Sequence, residues 1–380
     1  MKTNPAVASL GEYPIGRLQE KARQLRAAGE QVYDFSIGDP REPTADFIPA
    51  ALKASVPRVS QYPTTSGLAE LRSAVAGYVA RRFGVAIDPD TQVMPTSGSK
   101  EAIFSSHLAF VDRVRRDAVV YPTPGYPIYE RGAVLSGAEP YPVALGDDFV
   151  LRADQIPSEV WKRASLVWTC TPHNPAGSIT PFDDLARLLE KARENEALLF
   201  SDECYADLYD DEQPASILQV AGHGALGCLS FFSLSKRSGM TGYRSGAVVG
   251  DAAAIKLLKA LRSSTGTASP EFVQAAAVAA WSDDEHVAIR REIFRQKRIL
   301  LAKTFDSLGH PVIGSTAGIY LWIHAGDDLA ITEKLASDHI LVTSGRVFGQ
   351  GGEGYIRLAL VPTLEECDAA AEAIRRCLES

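Results

Sequence analysis

Four short apolar runs in the middle of the chain each end in polar or loop-forming residues. They span residues 117–121, 165–169, 197–200 and 228–232. Helical patterns separate them, and this alternation indicates an α/β fold with a largely parallel central sheet. Ligands of such sheets bind outside the carboxyl ends of the strands. Polar residues that follow the four runs are therefore candidates for one shared site, although they lie far apart in sequence.

The chain has 380 residues, a length that suits two domains with a common interface. Residues 283–308 carry apolar side chains at spacings of three and four among many charges, which predicts a long helix. Two strand-like runs follow at residues 318–323 and 354–360. We expect a large domain of residues 41–285. We also expect a smaller α+β domain that combines residues 1–40 with residues 286–380.

Composition excludes several classes of protein. A formal net charge of −8 argues against a nucleic-acid surface, which needs clustered Lys and Arg. No apolar run approaches the roughly 20 residues that span a bilayer, and the N-terminus lacks the apolar core of a signal peptide. We therefore expect a cytoplasmic protein. The five cysteines form no C-x-x-C pair and the seven histidines are scattered, so neither a metal site nor a disulfide framework is expected.

Residues 95–104 form a glycine-containing turn that opens an apolar helix. Backbone N–H groups at a helix N-terminus bind anions, so Ser99 and the amide of Lys100 are candidate phosphate donors. A Ser-Gly-Ser sequence is also typical of an ordinary helix cap. This segment alone leaves both interpretations open.

Lys236 follows the fourth apolar run, and Arg244 lies eight residues further along. A partly buried lysine near cationic or polar groups gives up its proton and bonds to carbonyl compounds, including pyridoxal phosphate. Arg244 could present a planar guanidinium to a phosphate, and Ser233 and Ser235 could add hydroxyl donors. A surface loop with two ordinary basic residues would give the same local sequence.

Further polar residues match other requirements of pyridoxal chemistry. A carboxylate keeps the pyridine nitrogen protonated, and Asp202 follows the third run, where an unpaired buried carboxylate is costly. Tyr205 and Asn174 could reach the phenolic oxygen of the cofactor, and Tyr126 could stack on its ring. Each residue alone could also belong to a loop or a core. Together, and in this order, they favour a cofactor site.

The chain resembles the fold-type I pyridoxal-phosphate aminotransferases of class I and II over nearly its whole length. The matching motifs are SIGDP at 36–40, YPTTSG at 62–67, NPAG at 174–177, SDECY at 201–205, SLSK at 233–236 with Arg244, and YIRL at 355–358. The resemblance implies an enzyme with pyridoxal 5'-phosphate bound covalently to Lys236, which then moves a proton between substrate and cofactor. It implies catalytic roles for Asp202 at the pyridine nitrogen and for Tyr205, with Asn174, at the ring oxygen.

The resemblance also implies which residues hold the phosphate and the substrate. The residues implied to hold the phosphate are Ser99, Lys100, Ser233 and Arg244. Ser235 is implied as a further cofactor-binding residue next to them. Tyr62 would reach the phosphate of a partner subunit, which implies a homodimer with active sites shared across the interface. Arg357 would bind the substrate α-carboxylate bidentately, with Gly38 and Asn174 nearby. The period-two pattern of residues 355–360 equally fits an exposed strand arginine.

Within this family the chain is most similar to the N-succinyldiaminopimelate aminotransferases, through residues 34–44, 129–140, 233–238 and 280–286. This similarity implies amino transfer from N-succinyl-LL-2,6-diaminopimelate to 2-oxoglutarate, giving glutamate, in lysine and diaminopimelate biosynthesis. Arg17, Arg41 and Arg346 are possible partners of the distal carboxylate.

Several alternatives stay open. Aspartate, aromatic or LL-diaminopimelate transamination, or β-elimination from cysteine conjugates, would use the same scaffold. A serine hydrolase based on Ser233 or Ser235 would lack the G-x-S-x-G elbow. A pyridoxal-phosphate-binding regulator would need a basic DNA-binding extension, and the sequence gives no sign of one.

Overall fold

A computed structural model describes residues 4–11, 16–266 and 268–380. The helices are α1 (Pro5–Ser9), α2 (Gly16–Ala27), α3 (Phe47–Ala54), α4 (Ala69–Phe83), α5 (Ser99–Phe110), α6 (Ile128–Ser136), α7 (Ser158–Arg163), α8 (Phe182–Glu194), α9 (Ile217–Ala221), α10 (Leu234–Arg237), α11 (Ala252–Thr265), α12 (Glu271–Ser282), α13 (Glu285–Ser307), α14 (Asp328–Ser337) and α15 (Leu364–Glu379). The strands are β1 (Tyr33–Asp34), β2 (Val93–Thr96), β3 (Ala118–Thr123), β4 (Glu139–Ala144), β5 (Ala164–Cys170), β6 (Leu198–Asp202), β7 (Cys228–Ser233), β8 (Gly246–Gly250), β9 (Val312–Ile313), β10 (Tyr320–His324), β11 (Ile340–Leu341), β12 (Thr343–Ser344) and β13 (Tyr355–Ala359).

The central layer is a seven-stranded sheet with the order β2-β8-β7-β6-β5-β3-β4. Neighbours from β7 to β4 pair in parallel, whereas β8 runs antiparallel to both β2 and β7. The four apolar runs form β3, β5, β6 and β7, so the predicted α/β fold with a mostly parallel sheet is confirmed. Their carboxyl ends lie at one edge, and β8 begins at that same edge because it runs in the opposite direction.

Both faces of this sheet are buried, which explains why its strands read as continuous apolar runs. Successive side chains of a strand point to opposite faces. Val119 and Leu166 belong to one apolar cluster, and the residues that follow them, Val120 and Val167, belong to another. The sheet is thus held between two cores, and its rigid edge is available to position polar side chains.

A second, antiparallel sheet has the order β12-β13-β10-β9. It contains both C-terminal runs predicted as strands, now β10 and β13. The N-terminal segment joins this part of the chain, because β1 pairs in parallel with β11. Residues 1–3 and 12–15 of that segment lie outside the described residues. The domain boundaries expected at residues 40 and 285 stay predictions.

The predicted long helix is confirmed as α13. Near its start, Arg290 donates to the backbone oxygen of Lys236 at 3.4 Å. Near its end, Phe305 packs in the apolar cluster of the second sheet. This helix therefore connects the end of β7 with the C-terminal sheet. In the ranges that the structure covers, neither α13 nor any other helix is both long and apolar enough to cross a membrane.

Candidate active site

A cavity lies where the carboxyl ends of the parallel strands meet the second sheet. It is lined by nearly all the residues predicted for cofactor and substrate: Gly38, Ser99, Lys100, Tyr126, Asn174, Asp202, Tyr205, Ser233, Ser235, Lys236, Arg244 and Arg357. Tyr62 is the exception. Its side chain is 95% exposed and does not line the cavity of its own chain. The edge of the sheet thus brings together residues that are up to about 320 positions apart in sequence.

Lys236 lies in α10, the short helix that begins directly after β7. Ser233 caps this helix, and its Oγ accepts a hydrogen bond from the Ser235 amide at 3.2 Å. The Lys236 amine donates to the backbone oxygen of Gly38. Burial lowers the pKa of Lys236 to about 8, and the charge of Asp39 opposes this shift. The side chain can therefore shed its proton near neutral pH and act as a nucleophile.

Asp202 ends β6 and is buried. Its Oδ2 accepts a hydrogen bond from the Tyr129 hydroxyl at 2.8 Å, and its Oδ1 accepts one from the Cys204 amide at 3.2 Å. Burial raises the pKa of Asp202, while the donors from Cys204 and Tyr129 act in the opposite direction. The carboxylate is thus oriented by fixed donors and faces a cavity in which a cationic partner would stabilise it.

Sequence reasoning missed Tyr129. The phenol lies in the first turn of α6, stacked on Trp168 with ring centroids 4.9 Å apart. Tyr126 meets it edge to face, at 5.8 Å between centroids. The only signal in the sequence was the position of Tyr129 three residues after Tyr126, and a tyrosine at such a position is typical of a hydrophobic core. Its hydrogen bond depends on the packing of α6 against the central sheet, where α6 contacts β3 and β4, and only the tertiary structure shows this packing.

Arg357, in β13, is only 3% exposed, so the interpretation as an exposed strand arginine is wrong. Its Nη1 donates to Asn174 Oδ1 at 3.1 Å and its Nη2 to the backbone oxygen of Ser36 at 2.9 Å. Its Nε is buried and has no hydrogen-bond partner among the residues that the structure describes. A buried guanidinium with a spare donor beside a cavity fits a carboxylate ligand.

Two aromatic rings contact the guanidinium of Arg357. Its Cζ lies 4.2 Å from the ring centroid of Tyr320 and 4.5 Å from that of Phe348. The cavity-lining residues that sequence analysis missed are Ile37, Ile103, Pro127, Cys204, Tyr320 and Phe348. The predicted strand at residues 318–323 contains Tyr320, but the sequence pattern gave no reason to assign its side chain to a site.

An anion cradle lies at the start of α5. A Cβ added to Gly98, whose φ is +82°, would lie 2.8 Å from Arg244 Cζ, so the glycine lets the guanidinium approach the helix N-terminus. Arg244 itself has a φ of +55°, a costly conformation for a residue other than glycine. Burial lowers the pKa of Lys100, and Arg244 and Arg131 lower it further. These cations and the N–H groups at the start of α5 fit a phosphate.

The residues of the cavity fit pyridoxal phosphate in three respects. The cradle at Gly98 and Arg244 suits the phosphate, and Lys236 offers an amine for the aldehyde. Asp202 offers a buried carboxylate for the ring nitrogen. The unpartnered Nε of Arg357 leaves a place for a substrate carboxylate on the other side of the cavity.

The arginines proposed for a distal carboxylate are engaged elsewhere. Arg41 pairs with Glu366 at 2.8 Å, and Arg346 pairs with the buried Asp328 at 3.1 Å. Neither lines the cavity. Arg17 lies in the first turn of α2. The expectation that Arg41 or Arg346 binds the distal arm therefore gains no support from their contacts.

Comparisons with known proteins agree with this geometry. Residues 30–374 match the family described as aminotransferase class I and II. The LL-diaminopimelate aminotransferase of Desulforudis audaxviator is 35% identical over 382 residues, covering 98% of this chain and 97% of that protein.

Solved structures give the same result. An aminotransferase from Neisseria meningitidis superimposes with a TM-score of 0.90 at 35% identity, covering 98% of this chain and 99% of that one. A probable N-succinyldiaminopimelate aminotransferase from Thermus thermophilus superimposes with a TM-score of 0.87 at 26% identity, covering 94% and 98% of the two chains.

Proposed function

Because this chain belongs to the class I and II aminotransferases, which use pyridoxal phosphate, we propose that it transfers the amino group of LL-diaminopimelate to 2-oxoglutarate. The observation that carries the aminotransferase assignment is the cavity itself, in which Lys236, Asp202 and Arg357 face one another. The donor is proposed because a relative named for LL-diaminopimelate matches almost the full length of the chain.

N-succinyl-LL-diaminopimelate, predicted from the sequence as the donor, is the second candidate. It is supported by the motifs that resemble that branch and by the structural likeness to the probable N-succinyldiaminopimelate aminotransferase. Both donors share an α-amino acid end that Arg357 can bind, and they differ only in the distal arm. A cytoplasmic location stays a prediction.

The roles we propose follow from the contacts of each side chain. Bound pyridoxal phosphate supplies the electron sink that makes the substrate α-proton acidic. Lys236 would act as the base that accepts this proton and as the acid that returns it, since its amine has a lowered pKa and lies in the cavity. Arg357 holds the α-carboxylate and so fixes which face of the substrate meets Lys236. Asp202, with Tyr129 behind it, keeps the ring nitrogen protonated.

The test is a half-reaction without acceptor. Purified protein loaded with pyridoxal phosphate is mixed separately with LL-diaminopimelate, its N-succinyl derivative, glutamate, aspartate and tyrosine, and the visible absorbance of the cofactor is followed. Conversion by LL-diaminopimelate and by glutamate supports the proposal. Conversion by glutamate and by the N-succinyl derivative, but not by LL-diaminopimelate, selects the second candidate. Conversion by aspartate or tyrosine, but by neither diaminopimelate compound, rules out both proposed donors.

Two controls complete this experiment. Lys236→Ala protein should bind pyridoxal phosphate non-covalently and convert none of the donors, so full activity in that variant would contradict the proposed mechanism. A cysteine conjugate is added in a separate reaction. Release of pyruvate from it without any keto acid would indicate the β-lyase that the sequence left open.

We also propose a homodimer in which Tyr62 completes the phosphate site of the partner subunit. Support comes from the exposure of Tyr62 and from its absence from the cavity of its own chain. The test mixes Tyr62→Phe and Lys236→Ala subunits under dissociating conditions and reassociates them. If sites are shared, each hybrid dimer contains one fully native site and activity returns. If Tyr62 serves its own subunit, every hybrid site carries one substitution and activity stays low.

A further inference from the structure

Tyr320, the first residue of β10, contacts the residues proposed for the cofactor and those proposed for the substrate. The side chain is 4% exposed and lines the same cavity as Lys236. In the sheet register it pairs with Ala359, two residues beyond Arg357 on the neighbouring strand. This register places the phenol against Arg357, while its hydroxyl points toward the end of β6.

The hydroxyl of Tyr320 lies 3.1 Å from the hydroxyl of Tyr205, with ring centroids 5.6 Å apart. Two phenols at this distance share one hydrogen bond, so one of them must donate. If Tyr205 donates to the ring oxygen of the cofactor, its own oxygen must accept from Tyr320. The direction of the bond is then fixed from Tyr320 through Tyr205 toward the cofactor.

The ring of Tyr320 has a second contact, with the guanidinium of Arg357 at 4.2 Å. The ring of Phe348 also contacts the guanidinium, with its centroid 4.5 Å from Arg357 Cζ. These two ring contacts, and the hydrogen bonds from its two Nη groups to Asn174 and to the backbone oxygen of Ser36, restrict the position of the guanidinium. The free Nε is thereby kept in a fixed direction for a carboxylate.

A third contact is with the turn that carries Gly38. A Cβ added to Gly38 would lie 3.2 Å from Tyr320 Cζ, so the backbone that accepts the Lys236 hydrogen bond passes close against the phenol. The three contacts come from the turn before α3, the end of β6 and β13. Each belongs to a different part of the proposed site.

We propose that Tyr320 is a positioning residue that orders both sides of the site, through a hydrogen bond to Tyr205 and through its ring face against Arg357. The inference rests on the proposed function, since it assigns Tyr205 to the cofactor and Arg357 to the substrate carboxylate. The two parts of the side chain have separate effects. The hydroxyl acts on the cofactor through Tyr205, and the ring acts on the substrate through Arg357.

Two substitutions test the two effects separately. Tyr320→Phe keeps the ring and removes the hydroxyl. Tyr205 then becomes a weaker donor, and the protonated form of the bound cofactor is favoured. The pH midpoint of the cofactor's visible absorbance should rise by roughly half a unit, and pyridoxal phosphate should bind the cofactor-free protein about threefold more weakly. KM for the amino donor should stay within about twofold of the wild type.

Phe348→Leu removes a ring from Arg357 and touches no hydroxyl. It should raise KM for the amino donor about fivefold and leave the absorbance midpoint unchanged. Tyr320→Leu removes both the ring and the hydroxyl, so it should raise KM for the amino donor and also raise the pH midpoint of the cofactor absorbance. If Tyr320→Leu does not fold, Tyr320→Phe still decides the hydrogen-bond link, and Phe348→Leu decides whether ring contacts brace Arg357.

The matched control is Tyr355→Phe. Tyr355 lies two residues from Arg357 in β13, stacks on Trp322 at 5.0 Å between centroids, and does not line the cavity. Loss of the Tyr355 hydroxyl should change neither the pH midpoint of the cofactor absorbance nor KM for the amino donor. An unchanged midpoint in Tyr320→Phe would overturn the hydrogen-bond link, and an unchanged KM in Phe348→Leu would overturn the bracing of Arg357.

These outcomes differ from a failure of the proposed function. If the wild-type protein binds pyridoxal phosphate but converts none of the donors, the proposed function is wrong whatever the variants do. If the wild type converts a donor and the variants behave as the control does, only the role of Tyr320 is wrong.

Discussion

Tyr129 donates a hydrogen bond to Asp202 Oδ2 at 2.8 Å, from a helix that packs on β3 and β4 of the central sheet. The phenol is fully buried by Trp168 and its neighbours, so water cannot replace this donor if it is lost. The hydrogen bond therefore orients the carboxylate that faces the cavity and favours its charged form against the effect of burial.

Replacing Tyr129 with Phe tests this relationship. The ring still stacks on Trp168, but Asp202 loses a donor and its pKa, already raised by burial, rises further. Pyridoxal phosphate should bind about tenfold more weakly, since a hydrogen bond to a charged group contributes ~1.5 kcal/mol or more. Titration of the cofactor-free protein with pyridoxal phosphate measures this. Tyr121→Phe, in the same apolar cluster, is the control and should bind normally; equal affinities in the two variants would contradict the assignment.

The lowered pKa of Lys236 predicts a pH dependence for covalent attachment of the cofactor. Only the unprotonated amine attacks an aldehyde, and burial holds its pKa at about 8. The rate at which cofactor-free protein incorporates pyridoxal phosphate should rise with pH, with a midpoint near 8, and then level off. Asp39→Asn removes a negative charge that raises this pKa, so the midpoint should move down. The exposed Asp211→Asn should leave it in place, and a wild-type midpoint near 10 would refute the prediction.

Gly98 should tolerate no side chain. Gly98→Ala adds a Cβ that would press on the Arg244 guanidinium, so the cation must leave the start of α5. We expect at least a tenfold loss of affinity for pyridoxal phosphate, corresponding to ~1.4 kcal/mol. Gly84→Ala is the matched control. Its φ of +69° is similar, but no atom lies within 4 Å of the added Cβ, so it should cost ~1 kcal/mol of stability and no cofactor affinity.

Glu203 should make the protein less stable as pH rises through the acid range. Burial raises its pKa from 4.5 to about 7, although the Ile217 amide donates to it at 2.9 Å. Between those values the folded protein holds a proton that the unfolded chain has released. The free energy of unfolding should fall by about 3 kcal/mol from pH 4.5 to pH 7 through this group, and then level off.

Glu203→Gln should remove that slope, because the amide stays neutral at every pH. Urea unfolding at pH 5, 6, 7 and 8 gives the comparison. The variant should gain stability relative to the wild type as pH increases. Glu159→Gln, at an exposed position in α7, is the control and should keep the wild-type slope. If the free energy of unfolding of Glu203→Gln changes with pH in parallel with the wild type, the Glu203 carboxyl is not the source of the pH dependence.

The sequence by itself determined four of the seven strands of the central sheet and most of the candidate site. Parallel strands that are buried on both faces need continuous apolar runs, and the sequence contains such runs at β3, β5, β6 and β7. Because all four end at one edge, polar residues just beyond them had to meet. This reasoning placed Asn174, Asp202 and Lys236 in one cavity without any knowledge of the packing.

Only the tertiary structure decided what surrounds those residues. Tyr129 and Tyr320 look like core aromatics in sequence, since a helix or strand position says which way a side chain points but not what it meets. The alternation in β13 predicted that Arg357 faces away from Ile356, yet not that Asn174, Tyr320 and Phe348 bury it. Those contacts join segments far apart in the chain, and they form only when the two sheets pack together.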